Sequence, residues 1–142
     1  MDVNRRYFLK KAERLRLKRG FEYLFEHGSS IRVDVLKFFY VFDMPEEYIK
    51  TPLSVAFTAP KRNFKRAVVR NKLKRRMREA YRLHKHILLD ELQPKGRNLV
   101  VLIKYHKWQE TDYHRIERAM IRAFKKLKHQ IKSLEADIHT ND

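Results

Sequence analysis

The chain of 142 residues has no cysteine, which excludes disulfides, thiolate metal sites and cysteine nucleophiles together. Glycine occurs three times and proline four times, so few breakers interrupt the chain. Compact elements with short connections are expected from that scarcity. No apolar run approaches the roughly 18 residues of a membrane span. The opening stretch MDVNRRYFLKKAERLRLKRG has no apolar core of the kind a secretory signal needs. A cytoplasmic protein without a membrane partner is expected. Gly-rich phosphate loops, nucleophile motifs, internal repeats and low-complexity tracts are also missing. Acid is the scarcest feature relative to its opposite: 17 Asp and Glu stand against 34 Lys and Arg, a formal charge of +17.

What is present begins with apolar content. At 43% hydrophobic residues the chain can bury a core, so it is not a disordered basic tail. Its length fits one domain, 1–142, with a core over about 10–132. A basic arm at 1–13 and a tail at 133–142 are expected to be less ordered. The charge is concentrated: residues 1–20 carry eight Lys/Arg against two acids, 21–60 carry three against six, and 61–82 carry eleven against one. Such self-repulsion weakens a compact fold, so an anionic partner is implied, nucleic acid before a membrane surface.

Phe21, Leu24 and Phe25 recur at i, i+3, i+4 and predict a helix that stops before Gly28. IRVDVLKFFYVFD reads as a strand, wide enough to be split in two, and LSVAFTA as another ending at Pro60. MPEEYIKTP, KRNFKR and LQPKGRN are connections, and residues 67–89 are predicted as one long helix. The apolar run LVVLIKY reads as a buried strand. Thr111 or Asp112 can cap a last helix whose inner face carries Ile116, Met120, Phe124, Leu127, Ile131 and Leu134. The order α-β-β-α-β-α points to an α+β fold, an α-β sandwich with helices packed on a mainly antiparallel sheet.

On a wheel of 3.6 residues per turn, Val69, Leu73, Met77, Ala80 and Ile87 form one stripe that packs on the sheet. Arg70, Lys74 and Arg78 lie beside it at i, i+4, and Asn71, Arg75 and Arg82 form the next row. A merely solvated face would alternate signs and gain from Glu–Lys pairs at this spacing. Repeated like charge is mildly destabilising unless phosphates lie between the side chains, and Arg suits bidentate phosphate contacts.

RNKLKRRMREAYR resembles the signature helix of the bacterial ribonuclease P protein subunit, close to R-N-x-x-K-R-x-x-R-E-x-[FY]-R. Arg70, Asn71, Lys74, Arg75, Arg78, Glu79, Ala80, Tyr81 and Arg82 match. FTAPKR resembles the family's strand end, which brings in Lys61 and Arg62. AERLRLKRGFEYLFEHG resembles its N-terminal segment, with Arg14, Leu15, Phe21, Leu24 and Phe25 matching. The similarity spans about residues 10–130. Arg76 departs from it, standing where the family usually has an apolar side chain.

The resemblance implies a left-handed β-α-β crossover through the signature helix, opposite to the general rule for parallel crossovers. It implies a protein component of an endoribonuclease holoenzyme that removes the 5′ leader from precursor tRNA. The partners implied are a catalytic RNA subunit, in a 1:1 complex with one protein chain, and precursor tRNA. By this resemblance Arg70, Asn71, Lys72, Lys74, Arg75, Arg78 and Arg82 face the RNA subunit. Phe21, Phe25, Phe39, Lys61 and Arg62 face the single-stranded leader, where bases stack on aromatics in a basic groove. Plain core packing is the competing reading for an i, i+4 Phe pair. Phe38 and Tyr40 compete with Phe39, because a slip of one residue exchanges the faces of a strand.

No catalytic residue is expected in the chain. The segments richest in basic residues have almost no acids, and Glu79 can simply pair with Arg75 or Arg82. His84 and His86 are two apart and point to different sides of a helix, a poor metal pair. Mg²⁺ is expected in the RNA subunit, none on the protein alone. The alternative is a general or ribosomal-type RNA-binding protein with no processing role. A DNA-reading helix would normally sit in a helical module, and a membrane-surface helix would not sit between strands.

Overall fold

The computed structural model describes the backbone of residues 11–49 and 51–140, with side chains from 18 to 134 except 50. The expected basic arm falls outside the described residues as far as residue 10, as do the side chains of Arg14 and Leu15. The elements are α1 (Lys11–His27), β1 (Ser29–Val33), β2 (Leu36–Phe42), β3 (Leu53–Thr58), α2 (Ala67–His84), α3 (His86–Leu92), β4 (Leu99–Tyr105) and α4 (Tyr113–Thr140). One four-stranded sheet has the order β1-β2-β4-β3. β2 is antiparallel to β1 and to β4; β3 is parallel to β4, so α2 and α3 form the crossover.

Alternation along the strands builds two clusters. Leu36, Phe38 and Tyr40 of β2 and Leu99, Val101, Ile103 and Tyr105 of β4 point to one face, against Leu73, Met77 and Ala80 of α2, Leu88 and Leu92 of α3 and the inner stripe of α4. Val41 and Val100 point to the other face, against Leu24 of α1. Among the described residues the sheet therefore carries three helices on one side and α1 on the other. Burying the large apolar residues of the first cluster contributes about 1.5–3 kcal/mol each, before chain entropy is subtracted.

The predicted wide strand is two strands, joined at Asp34 and Val35, with Asp34 at φ +52°. The Arg115 guanidinium makes two 2.8 Å bonds to the Asp34 carboxylate and pins this turn to α4. The predicted helix 67–89 is two helices meeting at Lys85. Lys85 keeps helical angles, and its carbonyl accepts from both Leu88 and Leu89 at 3.0 Å. That local tightening re-aims the axis, so Leu88 and Leu92 are fully buried while Ile87 is half-buried. LQPKGRN is not wholly a connection: Gln93–Lys95 make one 3-10 turn, ended by Gly96 at φ +63°. Asp112 caps α4 through a 2.9 Å bond from the Arg115 backbone N–H, and the helix continues past residue 133 to Thr140.

Candidate nucleic-acid interface

α2 begins without an acid in its first turn and without a side-chain cap. Lys65 and Arg66 stand at its electropositive end, where anions rather than cations are favoured. Leu73, Met77 and Ala80 anchor the helix, and the wheel then turns the remaining faces outward.

The seven predicted basic-face residues divide by what they already hold. Arg70 Nη1 donates to the carbonyls of Phe64 and Lys65, both at 2.8 Å, and so closes the β3–α2 connection. Lys72 Nζ lies 2.7 Å from Glu110, which it holds below the usual carboxylate range. Arg82 grips Glu79 at 2.6 Å with the same effect. Asn71, Lys74, Arg75 and Arg78 have no hydrogen-bond or ion-pair partner among the described residues, and all but Lys74 are exposed. Arg76, the departure from the family pattern, is half-buried and donates to the Thr111 carbonyl at 2.6 Å. It is an anchor to the start of α4. Val68 at the helix start is 68% exposed, whereas Val69 packs on the core.

Phe21, Phe25 and Phe39, the predicted leader aromatics, lie on the opposite, α1 side of the sheet. The Phe25 and Phe39 rings meet edge to face, centroids 5.9 Å apart. Phe25 is 61% exposed, so it is not core. Phe21 is half-buried against the α1-side cluster. Phe38 is fully buried on the helix-covered face, and Tyr40 is buried there too, its hydroxyl donating to Gln130 at 2.9 Å. Phe39 is thus the strand aromatic that shares a face with α1. Together with Leu24, Phe25, Gly28, Ser29 and Ser30 it lines an open cavity of about 300 Å³.

Lys61 and Arg62 do not line this cavity. They are exposed on the connection after β3, whose Asn63 is bonded to the Lys107 carbonyl at 3.0 Å. The cation beside the aromatics is Lys37, with Nζ 4.8 Å from the centre of the Phe39 ring. The register continues this row: Arg32, Lys37, Lys104 and Thr58 are paired across the four strands, one step beyond Ser30, Phe39, Leu102 and Ala56. Leu102, Lys104, Ala56 and Thr58 are only half-buried, so α1 leaves this end of the sheet face open. Sequence reasoning missed Lys37, Arg32 and Lys104. The signal was available for Lys37, two residues before Phe39 and so on its face.

Family comparison decides between the readings that basic charge alone leaves open. The sequence pattern of the family described as Ribonuclease P matches residues 9–128. The chain belongs to the bacterial ribonuclease P protein family. A ribonuclease P protein component of Porphyromonas gingivalis is 35% identical over 112 residues, covering 79% of this chain and 80% of the relative. One from Chlorobaculum tepidum is 35% identical over 130 residues, covering 89% and 82%. Solved ribonuclease P proteins share the fold: that of Staphylococcus aureus at TM-score 0.59 and 20% identity, covering 85% of this chain and 94% of its own. That of Thermotoga maritima gives 0.60 at 17%, covering 78% and 93%.

In this ribonuclease P protein several acids are bonded to basic neighbours. The His84 Nε2 bond to Glu117, at 3.0 Å, is the main cause holding that carboxyl below its ordinary value. Lys95 does the same to Glu91 at 3.0 Å. Among the described residues no group of three or more His, Asp or Glu side chains is placed to hold a metal ion. Nor, among them, is any helix long and apolar enough to cross a membrane.

Proposed function

We propose that the two faces of the sandwich divide the RNA contacts. Lys74, Arg75 and Arg78, with Asn71, meet phosphates of the RNA subunit, and the Phe25–Phe39 cavity takes unpaired bases of the 5′ leader. As a ribonuclease P protein component, the chain serves in the endoribonuclease holoenzyme of tRNA 5′ processing, together with its RNA subunit. The observation that carries the division is which α2 cations are unspent. Arg70, Lys72 and Arg82 hold carbonyls or carboxylates, whereas Lys74, Arg75 and Arg78 are left to an external anion.

On the other face, a base entering the cavity stacks on the exposed ring of Phe25, which Phe39 backs edge-on. Stacking accepts any base, which suits a subunit serving many precursors. From the cavity the strand would run over Lys37 and Lys104, across β4, towards Lys61 and Arg62 beyond the end of β3. Phe21 helps pack α1 against the sheet. In this reading the protein contributes binding and orientation. Mg²⁺ would be held by RNA phosphates and would supply the nucleophile there; Glu79, Glu91, Glu110 and Glu117 are each already bonded to a basic side chain. One protein chain binds one RNA subunit, in the cytoplasm.

A salt series tests the α2 face. The triple variant Lys74→Ala, Arg75→Ala, Arg78→Ala should bind the RNA subunit more weakly. The slope of log affinity against log salt should flatten by about 0.7–0.9 for each phosphate that the variant no longer neutralises. An unchanged slope removes these residues from the interface. Arg70 is kept, because its loss would also release the connection it closes.

A further inference from the structure

We propose that Trp108 is a second stacking platform, which takes an unpaired base of the RNA subunit beside the α2 face. The inference rests on the reading of α2 as the face that meets the RNA subunit. Trp108 is the only tryptophan of the chain, and it lies in the β4–α4 connection with 64% of its surface exposed. It makes no ring contact with any other described aromatic residue. A single exposed apolar side chain needs no partner by itself, but this indole stands on a fixed backbone among cations.

The backbone around it is fixed on both sides. The His106 N–H donates to the Val35 carbonyl at 3.0 Å, and the Lys107 carbonyl accepts from Asn63 at 3.0 Å. After Trp108, the Tyr105 hydroxyl donates to the Gln109 carbonyl at 2.6 Å. Burial pushes that hydroxyl up to about 12, so it remains a donor. Glu110 and Thr111 are then held by Lys72 and Arg76 of α2. The indole is therefore carried on a tethered connection, and a base stacking on it need not order a mobile loop.

The surroundings are electrostatically one-sided. Lys107 directly precedes it, and the Asn63 bond brings alongside the connection that carries Lys65 and Arg66 into the start of α2. The nearby acids are engaged: Glu110 by Lys72, and Asp112 by the start of α4. An exposed aromatic among cations fits a polyanion with a stacking group, which an unpaired nucleotide of RNA supplies. The RNA subunit is chosen over the leader because Lys72 and Arg76 tie this connection to α2. The aromatic cavity lies on the opposite face of the sheet.

A single tryptophan makes the test direct. Titrating the wild-type protein with the RNA subunit should change Trp108 emission, saturating together with complex formation followed by filter binding. Trp108→Leu should weaken that complex by about 5- to 150-fold, the equivalent of one stack removed. Trp108→Phe should recover most of the affinity. A complex that forms with no change in emission, or a Trp108→Leu variant that binds like wild type, overturns the proposal. So does an emission change that appears only when precursor tRNA joins the preformed holoenzyme. A failing α2 face would instead show as an unaltered salt slope in the triple variant, with Trp108 emission still responding.

Discussion

Gly28 shows how much a single position decides. Its N–H closes α1 by donating to the Leu24 carbonyl at 2.8 Å. A Cβ built there would collide with that same carbonyl oxygen and stand 2.7 Å from the Tyr40 carbonyl of β2. Both obstacles are backbone, so neither can swing aside. Gly28→Ala should lower stability by about 1–3 kcal/mol, the usual cost of overpacking, read as a fall in the denaturant midpoint with an unchanged slope. A variant as stable as wild type would mean that α1 can shift on the sheet. The sequence marked Gly28 as a helix stop, but its closeness to β2 depends on tertiary packing. Phe25 and Phe21 tell the same story. Their i, i+4 spacing placed both on one side of α1, but only the packing of α1 against β2 separates the exposed ring from the half-buried one. Arg70 was legible as basic and in register with Lys74; that it is spent on two carbonyls was not, because those acceptors lie in the preceding connection.

At the scale of elements, hydrophobic periodicity found the buried sides of α2 and α4, since those stripes need only the period of the helix. It did not find the division at Lys85, where neither Gly nor Pro marks a change of axis. It left the register of β2 open by one residue, and the pairing of Phe39 with Ser30 and Leu102 closes that choice. The turn between β1 and β2 is joined to α4 by the Asp34–Arg115 pair, and Arg115 holds the Asp34 carboxyl below its ordinary 3.8. A carboxyl lowered on folding adds stability above its unfolded value, and that stability is lost as the pH falls through the lower folded value. Thermal melting of the wild type should therefore drop faster than that of Asp34→Asn once the pH falls below about 4. The two proteins should differ by a constant amount between about pH 5 and 7. The effect is small, because the pair is partly exposed and screened. Parallel curves across the whole range would show that the ion pair does not couple the hairpin to α4.

The whole molecule presents two different cationic surfaces. The helical layer turns Arg75 and Arg78 of α2 outward, and Arg118, Arg122, Lys125 and His129 of α4 as well. Between these rows the acids Glu79, Glu110 and Glu117 are bonded to neighbours. The far side of the sheet presents the Phe25–Phe39 cavity and the row Arg32, Lys37 and Lys104. Net charge of +17 was enough to name a polyanion, and the signature helix was enough to name the family. Neither could say that Lys61 and Arg62 sit apart from the aromatics, a consequence of where β3 ends relative to Phe39.

The measurement that bears most directly on this two-faced arrangement compares precursor with mature tRNA, each bound to holoenzyme made with wild-type, Phe25→Leu or Phe39→Leu protein. Phe25 is mostly exposed, so its replacement should change thermal stability little. Affinity for the precursor should fall by about 1–3 kcal/mol, the equivalent of one stack, while affinity for mature tRNA, which has no leader, stays the same. Equal weakening of both substrates, or none in either, would contradict leader binding in the aromatic cavity.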